Sequence, residues 1–226
     1  MTSLRAPWGS RNGTVMRDES GFTLLPGHLS PEDQARLVAC VLNAARDAPF
    51  RVQVTPGGKA MSVETTGLGP LSWVSDRLGY RYEPRHPLTG RPWPPMPPLL
   101  ETLWADLVDP AVPADAGLVN LYRPGARMGL HRDEDEADFA FPVLSVSLGD
   151  TALFRIGGLT RKAPTRSLRL ASGDVCLLAG QSRLAYHGVD RIIPGSSRLV
   201  PGGGRINITL RRAAPPPPLA RPVLSR

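Results

Sequence analysis

In the segment His131-Arg132-Asp133 an imidazole and a carboxylate stand two residues apart, a spacing that turns both to the same side of an extended chain. A divalent metal can sit between such a pair. Far downstream, His187 closes the run Ser182-Arg183-Leu184-Ala185-Tyr186. If a neighbouring strand brings it close, two histidines and one carboxylate make a facial set that leaves adjacent positions open on a non-haem Fe(II). The same residues also fit an acidic surface turn after Leu130 and a histidine at 187 satisfied within the fold. A second kind of chemistry is written into Arg205-Ile206-Asn207-Ile208-Thr209-Leu210-Arg211, where Arg205, Asn207, Thr209 and Arg211 alternate with three aliphatic residues. That is the period-two pattern of a half-buried strand. Its two arginines, with Cα atoms ~20 Å apart at the strand rise, can lean inward to grip both ends of a short dicarboxylate. Val119-Asn120-Leu121-Tyr122 repeats the device with neutral hydrogen-bonding groups, Asn120 and Tyr122, on one face. Taken alone, either strand also fits a solvated sheet edge.

These side chains need a scaffold, and the composition limits which one. Proline (25) and glycine (23) are abundant in the 226 residues, favouring short strands and many turns over a helical bundle. Ser30-Pro31-Glu32-Asp33 supplies an N-cap, a proline at the first helical position and acids in the first turn, predicting a helix over 31–47 with Leu37, Val38, Val41 and Leu42 on one side. Leu99, Leu100, Leu103, Trp104, Leu107 and Val108 predict a second helix after the proline run 92–98. Trp73, Tyr80, Tyr82 and Trp93 mark residues 50–96 as a separate subregion. From 116 onward, eight β-type runs follow, at 116–122, 127–131, 142–148, 151–156, 166–170, 174–179, 182–187 and 205–211. Eight strands fit a jelly roll, and no helical periodicity between them supplies the crossovers of a parallel sheet. The segment 194–204 reads as an exposed loop.

Cys40 and Cys176 are the only cysteines, which excludes a disulfide scaffold or a CxxC zinc motif and suggests two reduced, buried thiols. No apolar leader or membrane-length run is present, so a soluble, cytoplasmic protein with no membrane association is expected. The formal charge is +7, and 25 of the 27 basic residues are arginine, the side chain suited to bidentate contact with carboxylate or phosphate. Basic residues dominate from Arg155 onward, whereas acids crowd into Asp133, Glu134, Asp135, Glu136 and Asp138. A basic half fits an anionic partner such as nucleic acid, or only a well-solvated surface.

Asn120-Leu121-Tyr122-Arg123-Pro124-Gly125, His131-Arg132-Asp133-Glu134-Asp135-Glu136, Tyr186-His187-Gly188 and the strand 205–211, in that order, closely resemble the bacterial AlkB proteins. These are Fe(II)- and 2-oxoglutarate-dependent dioxygenases that demethylate alkylated nucleic-acid bases. The resemblance extends to Thr55-Pro56-Gly57-Gly58, Met61-Ser62-Val63, Trp73, Gly79-Tyr80 and residues 143–149, spanning about 20 to 212. It implies a mainly β (α+β) fold in which a double-stranded β-helix (jelly roll) core, residues 116–212, follows N-terminal helices and a nucleotide-recognition lobe, residues 21–115. The remaining segments are a flexible N-terminus, 1–20, and a Pro-rich disordered tail, 213–226. It implies that His131, Asp133 and His187 bind Fe(II), and that Arg205, helped by Asn120, Tyr122 and Asn207, holds the distal carboxylate of 2-oxoglutarate while Arg211 approaches the metal end. O2 is the remaining cosubstrate. Trp73 and His131 would stack on an extruded base, Asp135 would meet its exocyclic amine, and Met61, Tyr80 and Arg161 would line the pocket. The implied partner is alkylated DNA, single- or double-stranded, with RNA as a further candidate, met by a monomer. An RNA-directed or small-molecule dioxygenase and a non-catalytic anion-binding jelly roll are the alternatives. Gly129 and Glu134 depart from the serine and lysine of the best-known relatives, which bears on lesion preference.

Overall fold

In the computed structural model, which describes residues 14–214, Ser30 caps helix α1 (Pro31–Ala44) by accepting the Asp33 N–H at 3.1 Å. The helix buries Leu37, Val38 and Val41 and stops three residues before the predicted end. Helix α2 (Pro98–Leu107) likewise starts on a proline and buries Leu100, Leu103 and Trp104. The strands are β1 (Met16–Arg17), β2 (Phe22–Leu25), β3 (Arg51–Val54), β4 (Ala60–Leu68), β5 (Ser72–Asp76), β6 (Gly79–Glu83), β7 (Ala116–Tyr122), β8 (Met128–His131), β9 (Val143–Gly149), β10 (Thr151–Ile156), β11 (Arg166–Leu170), β12 (Val175–Leu178), β13 (His187–Ile193) and β14 (Arg205–Arg211).

An eight-stranded sheet runs β1-β2-β12-β9-β14-β7-β4-β3 and a four-stranded sheet runs β11-β10-β13-β8, all by antiparallel pairs. Strict alternation divides each central strand between two environments. Val119, Leu121, Leu144, Val146, Leu148, Ile206, Ile208 and Leu210 share one core with both helices. Tyr122, Val143, Cys176 and Leu178, on the opposite face, share a second core with Ala152, Phe154, Ile156 and Ile192 of the smaller sheet. The result is a jelly-roll sandwich, with helices outside the large sheet and the polar faces of β7 and β14 turned toward the small one.

Four expectations change. The run 182–187 is not a strand: Gly180–Leu184 forms a 3-10 turn, and the seventh strand of this half begins only at His187 and extends to Ile193. Residues 50–96 are not one subregion: β3 and β4 are hydrogen-bonded into the large sheet, where β4 pairs with β7, and only the β5–β6 hairpin stands apart. Cys176 is buried but Cys40 is exposed, on the outer side of α1. Of the segments expected to be flexible, 1–13 and 215–226 lie outside the described residues; Met16–Arg17 pairs with β2, and the Ala213 and Ala214 N–H groups donate to the Asp115 carboxylate at 2.6 and 3.0 Å.

Candidate active site

His131, the last residue of β8, lies directly opposite His187, the first of β13. Their rings are 4.5 Å apart between centroids. Asp133 follows two residues later, with Oδ1 3.8 Å from His131 Nε2 and Oδ2 3.9 Å from His187 Nε2. Each Nδ1 faces a backbone carbonyl, that of Gly129 at 3.0 Å and that of Ala185 at 2.9 Å. An imidazole that donates from Nδ1 leaves the Nε2 lone pair for a metal, so both rings present the ligating nitrogen toward Asp133. All three ligand atoms fall within 4.8 Å of one another, and two nitrogens with one carboxylate oxygen suit a divalent iron. Burial, reinforced by His131, lowers His187 to about 4, keeping it neutral at physiological pH. Burial alone would raise Asp133, but the Arg211 guanidinium and the two imidazoles hold it well below the usual carboxylate range. Close strand approach is what makes this geometry: a Cβ on Gly188 would lie 2.6 Å from the Met128 carbonyl oxygen.

Arg205 is 1% exposed. Its Nη2 donates to Ser147 Oγ at 2.8 Å and Nη1 to the Leu170 carbonyl at 3.3 Å, while Nε has no partner. Among the described residues no carboxylate reaches ion-pair distance of it. A buried cation left in this state is costly unless an anion arrives, so the pocket fits a carboxylate. Tyr122 is paired with Arg205 across β7–β14, as Asn120 is with Asn207. Burial pushes the Tyr122 phenol up to about 12, so it keeps its proton to donate. The Asn120 amide oxygen is buried without a partner, and its amide can offer either oxygen or NH2 to the cavity. Asn207 is partly committed, donating to Ser145 Oγ at 2.8 Å and the Val146 carbonyl at 3.0 Å. Arg211 is committed further: it donates to Asp133 Oδ2 at 2.7 Å and Thr209 Oγ1 at 2.8 Å, and its Nε lies 3.0 Å from Glu136 Oε1.

Every residue selected from the sequence lines one cavity of about 1180 Å³, Met61 and Arg161 included. On the side facing the β5–β6 hairpin, Trp73 stacks on Tyr80, with centroids 5.4 Å apart and planes 18° from parallel. Its Nε1 donates to Asp135 Oδ2 at 2.7 Å. Trp73 and His131, expected to stack on a base, both line this cavity, where Tyr80 packs against the Trp73 ring and Asp135 accepts its indole N–H. Burial and the neighbouring acids raise Asp135 against the lowering effect of that bond. At the rim, Glu134 pairs with Arg132, and open space lies where a side chain at Gly129 would project.

Glu136 and Arg183 escaped the sequence reading. Both are buried, at 6% and 3% exposure, and Glu136 sat within an acidic run that resembles a solvated surface. Its only sequence-level signal was its place in the motif ending at 136.

Residues 21–211 match the 2OG-Fe(II) oxygenase superfamily. The chain is 67% identical over 193 residues to the alpha-ketoglutarate-dependent dioxygenase AlkB homolog of Caulobacter vibrioides, a match covering 85% of this chain and 88% of that one. With the alpha-ketoglutarate-dependent dioxygenase AlkB of Escherichia coli K12 it shares 42% identity over 182 residues, covering 79% and 84%. The solved structure of OsALKBH1 superposes with a TM-score of 0.75 at 27% identity, covering 88% of this chain and 100% of that one.

Proposed function

The chain belongs to the 2OG-Fe(II) oxygenase superfamily, and from that premise we propose that it oxidatively demethylates N-alkylated bases of the 1-methyladenine and 3-methylcytosine type in DNA, releasing formaldehyde, succinate and CO2. It is a dioxygenase that uses Fe(II), 2-oxoglutarate and O2. The observation that carries the reading is the pairing, in one cavity, of a His-Asp-His donor set with a buried arginine lacking a counter-ion.

His131, Asp133 and His187 would hold the iron, and Arg205 with Tyr122, Asn120 and Asn207 would hold the far carboxylate of 2-oxoglutarate. Iron held there would activate O2, one oxygen atom going to 2-oxoglutarate, which leaves as succinate and CO2, and the other converting an N-methyl C–H bond to C–OH. The protein's share is orientation. The carbonyls of Gly129 and Ala185 fix the imidazole tautomers, Arg211 holds Asp133 ionised, and the hairpin bearing Trp73 and Tyr80 offers aromatic faces to an extruded base. The hydroxymethyl product then loses formaldehyde: the C–N bond breaks with its electron pair left on the ring nitrogen and the O–H proton is released to solvent, restoring the base.

The proposal includes action as a monomer in the cytoplasm, away from membranes; no described helix is long and apolar enough to cross one. It is tested by measuring succinate and formaldehyde from methylated DNA oligonucleotides, their RNA counterparts, and no oligonucleotide. Formaldehyde in step with succinate from the DNA substrate supports it. Preference for the RNA arm redirects the substrate, and succinate without formaldehyde in either arm points to a small-molecule dioxygenase. His131→Ala, Asp133→Ala and His187→Ala should each abolish turnover, and Zn(II) should inhibit by filling the site without redox chemistry. Full activity of any one of them would overturn the ligand assignment.

A further inference from the structure

Behind the metal-facing carboxylate lies a buried four-charge cluster for which the reaction itself gives no role. Glu136, with a side chain 1% exposed, sits between two arginines: Oε2 is 3.0 Å from Arg183 Nη2 and Oε1 is 3.0 Å from Arg211 Nε. Both arginines then reach Asp133 by different routes. Arg211 Nη2 donates to its Oδ2 at 2.7 Å, and Arg183 Nη1 donates to its backbone carbonyl at 2.9 Å. Arg183 is further fixed by the Phe141 carbonyl, at 3.0 Å from Nε. The remaining contact comes from outside the jelly roll. Tyr82, on β6, donates its O–H to Glu136 Oε1 at 2.6 Å, and β6 is the partner strand of β5, with Tyr82 directly across from Trp73.

We propose that Glu136 is a positioning residue that holds Asp133 through Arg211 and Arg183 and, through Tyr82, ties its pose to the hairpin bearing Trp73 and Tyr80. This rests on the reading above that a base seats against that hairpin. Without Glu136 two guanidiniums about 3 Å from a common point would repel, and Arg211 would draw on Asp133 alone. A link of this kind is reciprocal: by whatever factor a seated base changes the affinity for a metal at Asp133, the metal changes the affinity for the base. Oxidation would then be matched to an occupied base pocket, limiting consumption of 2-oxoglutarate when no base is present.

Two variants test it. Glu136→Gln keeps the shape and loses the charge; titration with Co(II) alone, followed by visible absorption, should show affinity reduced tenfold or more in a protein that still melts cooperatively. Tyr82→Phe removes one O–H from the network; Co(II) affinity should stay within twofold, while the ratio of formaldehyde to succinate falls at least threefold. In the parent protein a methylated oligonucleotide should tighten Co(II) binding twofold or more, and this tightening should vanish in Tyr82→Phe. Should Glu136→Gln fail to fold, the Tyr82→Phe measurements decide. A folded Glu136→Gln with unchanged Co(II) affinity, or a Tyr82→Phe with unchanged product ratio and unchanged Co(II) response, would overturn the proposal. A parent protein that yields no formaldehyde from any methylated oligonucleotide would instead fail the functional reading, and the Co(II) affinity of Glu136→Gln would still decide whether Glu136 positions Asp133.

Discussion

Arg205 and Arg211 look equivalent in the sequence, one at each end of a polar strand face, and the structure separates them. Arg211 is neutralised by Asp133 and Glu136; Arg205 has only a hydroxyl and a carbonyl. The cation whose charge is unanswered is the one that should bind the incoming diacid, so Arg205→Ala should raise the KM for 2-oxoglutarate about thirtyfold or more, an expected loss of about 2–5 kcal/mol. Steady-state succinate release at saturating methylated oligonucleotide measures this, and a KM within threefold of the parent would assign the diacid to another cation. Period-two alternation made the strand's polar face legible. It carried no information about which acids would pack against each arginine, because Asp133 and Glu136 reach Arg211 from a distant loop. The same limit hid Arg183, an arginine in a short turn whose burial depends wholly on groups from the loop after β8.

At the scale of elements, local signals located the helices and seven of the eight strands in the second half of the chain, because capping residues, turn glycines and alternation act within a few residues. The remaining one was misplaced. Ser182-Arg183-Leu184-Ala185-Tyr186 sets two polar residues before two apolar ones rather than alternating as a strand does, and its first three residues complete a 3-10 turn (Gly180–Leu184) in which Ser182 Oγ donates to the Ala179 carbonyl and accepts the Ala179 N–H. The strand that matters starts at His187, where pairing shifts register before Val189. Gly188 permits that shift, since any side chain there would meet the Met128 and Gly129 carbonyl oxygens at under 3.0 Å. Gly188→Ala should therefore push β8 away from β13, costing about 1–3 kcal/mol of stability as an overpacked site does. Because His131 and His187 face each other across this pair, Co(II) affinity should fall with it. Urea unfolding together with Co(II) titration measures both; loss of neither would show that the two strands can part without cost.

For the whole molecule, net charge points to an anionic class of partner but is a poor count of the contacts. The basic excess after residue 155 includes Arg183, Arg205 and Arg211, buried at 3%, 1% and 5% exposure, where no phosphate can reach them from outside. Others are already answered: Arg166 by Asp18 and Arg155 by Asp190 nearer the surface, and the largely buried Arg212 by Asp115. Around the cavity the tally narrows again, since Arg132 is held by Glu134. Arg127, Arg161 and Arg191 line the cavity together with Lys59, and none of the four makes an ion pair among the described residues; the three arginines carry the planar fork that suits phosphate. If these three carry the phosphate contacts, log K for a methylated single strand should fall against log salt with a slope of about −2, at roughly 0.7 per phosphate. Arg161→Ala should flatten it by about 0.7, and by the same amount whatever the base sequence, because a phosphate contact carries no sequence information. Fluorescence anisotropy between about 50 and 200 mM salt reads the slope directly. A slope near −2 that Arg161→Ala leaves unchanged would move the backbone contact elsewhere on the rim, and a slope near zero would mean that the charge of this chain does not meet nucleic acid at the cavity.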